Sequence, residues 1–239
     1  MDQLLAQLGL AESREQAQRL IRAGLVVGPD KRFDKPGHLI DADTALRVLG
    51  AEHPYVSRGG VKLAGALDAF ALDPAGAVAL DLGASTGGFT DCLLQRGAAK
   101  VYAIDVGRGQ LHARLAADPR VDARERTHLD ALEPEQFDPR PALAVADLSF
   151  ISATRALGPL ERVLARPAAA ALLVKPQFEL GRGRIPRGGV VTDPAAHREA
   201  VDMVKQSAAA RGWEVAAEAP SPIAGGDGNR EFFLLLRLA

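Results

Sequence analysis

Cysteine is nearly absent from these 239 residues: Cys92 stands alone. No intramolecular disulfide can form, and no cluster of cysteines and histidines carries zinc-ligand spacing, so no metal is expected. Long hydrophobic runs are also missing, although 47% of the chain is apolar. Nothing approaches the roughly 18 uninterrupted apolar residues of a membrane-spanning helix, and membrane insertion is not expected. Charge of one sign is lacking as well. A net charge of -1 supplies no global basic field, so any anionic polymer would have to be held by a local patch. The opening MDQLLAQLGLAESREQ turns acidic and polar where a signal peptide would carry its apolar core. A reducing, cytoplasmic location is therefore expected.

What is present is enough chain for one large α/β domain and a small appendage. Near the start, Ser13 and Gln16 have the form of a capping box, opening a helix with Ala17, Leu20 and Ile21 on one face and Arg14, Arg19 and Arg22 on the other. Gly24 stops it, a strand at Leu25 to Val27 follows, and Gly28, Pro29 and Asp30 make a turn. Lys31, Arg32 and Lys35 extend the basic surface. Arginines on an amphipathic helix are ordinarily a solvated face. This αα-turn-ββ unit ending in Lys35-Pro36-Gly37, however, resembles the S4-type RNA-binding domain. The resemblance implies that Arg14, Arg19, Arg22, Lys31, Arg32 and Lys35, with Arg58 farther on, contact RNA.

The turn-rich stretch containing Pro54, Gly59 and Gly60 reads as a joint. It divides the chain into a small α+β domain at 1–50, a linker at 51–60 and a large domain at 61–239. In the latter, strands and helices alternate as in a doubly wound parallel sheet. Seven strands are expected, at Ala77 to Leu82, Lys100 to Asp105, Val121 to Glu125, Ala142 to Asp147, Ala169 to Lys175, Glu214 to Ala217 and Glu231 to Leu238. A helix should run from Pro194 to Arg211 with Asp193 as its N-cap. The last strand follows its predecessor too closely for a helical crossover, so it should be antiparallel.

In ALDLGASTGGF an apolar strand ends at a glycine-rich turn that opens a helix. Glycines admit a ligand close to backbone, and a helix N-terminus offers amides to an anion. Gly83, Ala84, Ser85, Thr86, Gly87, Gly88 and Phe89 are therefore candidate cofactor-binding residues. Asp105 ends the next strand, where an acid can accept hydrogen bonds from both ribose hydroxyls of a nucleoside. Gly83-x-x-x-Gly87-Gly88 departs from the G-x-G-x-x-G fingerprint of dinucleotide binding and suits S-adenosylmethionine, whose anionic group is a carboxylate. Asp130 follows the third strand and is an adenine-site candidate. A solvated loop aspartate is an equal reading of it.

Ligands of open α/β sheets bind beyond the carboxyl ends of the strands. Asp147 and Lys175 end the fourth and fifth strands, Glu231 begins the antiparallel last one, and Lys62 lies on a helix before the first. All four should meet at one edge. The set Lys62, Asp147, Lys175 and Glu231 is similar to the tetrad of FtsJ-type ribose 2′-O-methyltransferases. HPYVSRGGVKL, DLSFIS, LVKPQFE, GGVVTDP and GNREFF, with the glycine loop and the S4-like segment, then resemble the TlyA family across nearly the whole chain. The resemblance implies a seven-stranded Rossmann-like class I methyltransferase sheet. It also implies transfer of a methyl group from S-adenosylmethionine to cytidine 2′-oxygens of ribosomal RNA, with ribosomal RNA or subunits as partners. A non-catalytic RNA-binding or ribosome-assembly protein keeping the fold, methylation of a base or a protein side chain, and the hemolysin name the family also carries remain alternatives.

The tetrad reading gives Lys175 the attacking 2′-hydroxyl, as proton acceptor or lone-pair guide, with Asp147 and Glu231 orienting the two lysines. Burial and a second lysine favour a neutral amine, whereas two acids favour an ammonium. Cys92 reads as a small buried side chain. Phe178 is read either as stacking on a flipped base or as a core or lid aromatic. Arg58, Arg182, Arg184 and Arg187 flank the expected mouth as phosphate ligands or as solvated loop residues.

Overall fold

The structure is a computed structural model. It describes residues 1–239 except 9, 12, 13, 23, 30, 42, 43, 50–52, 187 and 226, and not the side chain of residue 182. The chain forms two compact units, Met1–Pro54 and Tyr55–Ala239.

The first unit contains helices α1 (Asp2–Gln7) and α2 (Arg14–Arg22) and strands β1 (Val26–Val27), β2 (Arg32–Phe33) and β3 (Arg47–Val48). The strands pair antiparallel in the order β2-β1-β3. Ala17 and Ile21, one turn apart on α2, meet Leu5, Val26, Phe33 and Leu46 in a small core. Asp2 accepts hydrogen bonds from the Gln18 amide at 2.8 Å and the Arg14 guanidinium at 3.1 Å. These contacts hold its carboxyl down at about 2. The Ser13 of the expected capping box and the Asp30 of the expected turn lie outside the described residues.

In the second unit, α3 (Arg58–Ala69) precedes β4 (Val78–Leu82), α4 (Gly88–Gln95), β5 (Lys100–Ile104), α5 (Ala113–Ala116), β6 (Val121–Arg124) and β7 (Leu143–Ala146). Then come α6 (Leu157–Val163), β8 (Ala168–Val174), α7 (Pro176–Glu179), α8 (Pro194–Ala210), β9 (Glu214–Pro220) and β10 (Phe232–Leu238). The seven strands β4 to β10 form one sheet in the order β6-β5-β4-β7-β8-β10-β9. β4 to β8 pair parallel, and β10 runs antiparallel to both neighbours. Alternate residues supply the two faces. Leu80, Leu82, Tyr102, Leu172, Leu234 and Leu236 pack on one side, and Ala79, Val101, Val145, Leu173 and Phe233 on the other. The expected strands and the antiparallel last strand are all present. Asp193 caps α8 by accepting from the Ala195 N–H at 2.9 Å.

One stretch differs from its sequence reading. Arg58, Gly59 and Gly60, assigned to the linker 51–60, form the first turn of α3. These glycines serve close packing: a Cβ on Gly60 would run into the Tyr55 ring, and one on Gly88 into the Ser57 hydroxyl.

Candidate active site

The site grows from the parallel strand ends. After β4 the backbone turns through Gly83 (φ +80°), Ser85 (φ +49°) and Gly87 (φ +93°), and Gly87 is the N-cap of α4. The Gly83 and Ala84 amides donate to the Ile104 carbonyl at 2.9 and 3.1 Å, so the loop is anchored to the neighbouring strand. Gly83 cannot carry a side chain, because a Cβ there would strike the carbonyl oxygen of Asp147.

Asp105 follows β5. Its two carboxylate oxygens accept from the backbone amides of Ser85 at 2.8 Å and Gly107 at 2.7 Å. Each oxygen keeps a lone pair for a further donor, which fits a ribose with two free hydroxyls. Glu125 accepts from the Gly109 and Gln110 amides at 2.6 and 3.2 Å and so fastens the segment beyond Asp105. Asp130 is exposed and its carboxylate is taken by Arg155 at 3.0 Å.

The four expected edge residues form two ion pairs. Lys62 Nζ lies 2.6 Å from Glu231 Oε2, with side chains 10% and 3% exposed. Lys175 Nζ lies 2.5 Å from Asp147 Oδ1, with side chains 9% and 21% exposed. The register explains the gathering. Phe232 opposes Val174 in the antiparallel pair, so Glu231 enters β10 beside the point where Lys175 leaves β8. Asp147 follows β7 directly, and its N–H donates to Leu82 O at 3.0 Å. On α3, Lys62 shares a helix with the buried Leu63, Ala66 and Leu67, which hold it against the sheet.

The basic candidates are used in different ways. Arg14 is bound to Asp2, and Arg58 donates to the Ala224 carbonyl at 2.7 Å. Arg19, Arg22, Lys31, Arg32 and Lys35 are exposed on the first unit. Arg184 forms a bidentate pair with Glu199 at 2.7 and 2.8 Å. Arg187 and the side chain of Arg182 lie outside the described residues. Cys92 is fully buried, and burial pushes its thiol up to about 11, which keeps it protonated at neutral pH.

The FtsJ-like methyltransferase model matches residues 55–238, the unit that carries this edge. The chain belongs to the FtsJ-like methyltransferase family. An S4 domain model matches residues 1–42. Over 238 residues, covering 99% of this chain and 89% of the other, the sequence is 48% identical to the 16S/23S rRNA (cytidine-2′-O)-methyltransferase TlyA of Mycobacterium tuberculosis. A solved Streptococcus thermophilus protein carrying a hemolysin name superposes with a TM-score of 0.80 at 44% identity, covering 99% of this chain and 86% of that one. The fold alone is shared with an S-adenosylmethionine-dependent methyltransferase of Mesorhizobium loti. There the TM-score is 0.53 at 16% identity, covering 73% of this chain and 96% of the other. Among the described residues no helix is long and apolar enough to cross a membrane.

The FtsJ-like unit also holds residues that sequence reasoning missed. Lys175 donates to the Ser149 hydroxyl at 3.0 Å. Phe150 is 88% exposed, sits at φ +67° and meets Phe178 with ring centroids 5.4 Å apart. Asp81, beneath the glycine loop, is fully buried, and its Oδ2 accepts from the Thr90 hydroxyl at 2.6 Å. Burial pushes its carboxyl up to about 7. The polar Ser149 beside an aromatic, two residues after a strand-ending acid in DLSFIS, was the available signal for the first two. A fully buried acid inside an apolar strand leaves no such mark.

Proposed function

We propose that this chain is an S-adenosylmethionine-dependent methyltransferase acting in the cytoplasm on the 2′-oxygen of cytidines in ribosomal RNA. The observation that carries the reading is Lys175, a nearly buried ammonium held between Asp147 and Ser149 at the strand edge shared with the glycine loop. Similarity over almost the full chain to an rRNA cytidine-2′-O-methyltransferase supports the choice of acceptor.

Asp105 would hold the ribose of the cofactor, and the Gly83 to Phe89 loop would take its methionine end. When bound there, S-adenosylmethionine supplies an activated sulfonium methyl. An ammonium has three donors. Lys175 spends two on Asp147 and Ser149, and the third is available to hold the acceptor 2′-oxygen and fix its lone pair toward the donor. In this role Lys175 guides the oxygen, and the hydroxyl proton leaves to solvent. Positioning of this kind is worth about 7 to 11 kcal/mol, against roughly 3 to 5 for proton transfer by a side chain. The Lys62–Glu231 pair braces α3 against β10 and keeps the edge in register. Phe150, exposed over Phe178 and one residue beyond Ser149, offers a face on which a base turned out of its stack can rest. The exposed Arg19, Arg22, Lys31, Arg32 and Lys35 of the first unit suit phosphate contacts.

The test is incubation with labelled cofactor and intact ribosomal subunits, followed by nuclease mapping, because a 2′-O-methyl group blocks cleavage at its own nucleotide. Label at a ribose, lost in Lys175→Ala while cofactor binding persists, is expected. Label found only in a base would overturn the assignment.

A further inference from the structure

The segment from Asp147 to Ala153 is fastened to the segment from Lys175 to Glu179 at both ends. At the near end, Lys175 holds Asp147 and Ser149. At the far end, the Glu179 carboxylate, in a residue only 8% exposed, accepts from the Ala153 N–H at 2.8 Å and from the Ser152 hydroxyl at 2.5 Å. Ser152 in turn accepts from the Thr154 N–H at 3.1 Å and caps the helical turn that follows. Phe150 stands at the apex between the two fastenings, over Phe178.

A bulky residue at φ +67° is held against its own backbone preference. Such a conformation persists only where the surroundings fix it. The covalent path from Asp147 fixes one side of Phe150, and Glu179 fixes the other. The Glu179 backbone N–H donates to the Lys175 carbonyl at 3.3 Å, while its carboxylate is spent on two hydrogen bonds to the loop rather than on an ion pair. A carboxylate that merely stabilised the unit would be replaceable by apolar packing. This one sets the position of a loop whose other contacts are Lys175 and an exposed aromatic ring.

We propose that Glu179 is a positioning residue for methyl transfer, latching the 147–153 loop so that Ser149 stays against Lys175 and Phe150 stays raised beside the acceptor. The inference rests on the function proposed above. Without the latch Phe150 relaxes toward an ordinary backbone conformation and draws Ser149 away from Lys175. The cofactor loop on the other side of β4 is left as it was.

The experiment compares full-length variants in transfer of labelled methyl to ribosomal subunits, with S-adenosylmethionine affinity measured in parallel. Glu179→Ala is expected to lower kcat by about tenfold or more, since small misplacements at a reacting centre are costly, with cofactor Kd changed less than about twofold. Glu179→Gln, which keeps an oxygen for the Ala153 N–H and a polar partner for Ser152, is expected to return kcat to within about threefold of the unaltered chain. In a Phe150→Ala background the same Glu179→Ala change is expected to cost less than about threefold, because coupled residues are not additive. Three results would overturn the inference: unchanged kcat in Glu179→Ala, an equal loss with and without Phe150, or a matching loss of cofactor affinity. Full transfer by Lys175→Ala would instead sink the proposed function, so the two failures are distinguishable.

Discussion

The two ion pairs at the edge use the same chemistry in different surroundings. Lys62 and Glu231 are almost sealed, at 10% and 3% exposure, whereas Asp147 in the pair with Lys175 is 21% exposed. Neither side chain of the closed pair can turn to a new partner without leaving a charge stranded. The open pair has a face free for another molecule, and Ser149 already adds a second acceptor there. On the proposed function the closed pair would be a brace and the open pair the working end.

The largest test of that contrast is Lys175→Ala. Transfer is expected to fall by about 10² to 10³-fold, the loss typical of removing one hydrogen-bond donor at a reacting oxygen, measured as single-turnover methylation of subunits, while thermal stability drops only modestly because water reaches Asp147. Lys62→Ala should reverse the balance. It strands Glu231 in the interior, and loss of one partner of a buried pair costs about 3 to 5 kcal/mol, read from urea unfolding. If the two substitutions destabilise equally, the distinction between brace and working end fails.

Asp81 sharpens the comparison as a buried acid with no cation. Its carboxyl, raised to about 7 mainly by burial, is charged more easily in the unfolded chain. Folding stability should therefore fall as pH rises from about 4 to about 7, and Asp81→Asn should flatten that slope in urea titrations across the window. The smallest effect belongs to Asp2 with Arg14, a pair in the first unit whose arginine side chain is 57% exposed. Because Gln18 and Arg14 hold the Asp2 carboxyl at about 2, its contribution is present above about pH 4 and lost as pH falls toward 2. Asp2→Ala should lower the midpoint of the first unit slightly near neutrality and make no difference at pH 2.

Much of this was legible because apolar runs ending in glycine or an acid mark strand ends, and parallel strands put those ends on one side. Asp105, Asp147 and Lys175 were placed at the edge by that reasoning, and Glu231 by the antiparallel return. Which lysine takes which acid was not legible, since it depends on the register of β10 on β8 and on the height at which α3 crosses the sheet. Nor was the backbone of Phe150, since nothing about a phenylalanine foretells a left-handed conformation. Glu179 drew no reading of its own from the sequence, and only the folded loop shows where its hydrogen bonds go. The glycines at 59 and 60 misled because the same residue type marks both a hinge and a close helix contact.

Gly83 has a consequence for how this unit can change over evolutionary time. Its missing side chain leaves space that the Asp147 carbonyl occupies, so the turn that would receive the methyl donor lies directly against the backbone of the residue that would hold Lys175. On the proposed function, a change that altered donor fit at position 83 would move the acceptor side in the same step, and the two specificities could not drift independently through this position.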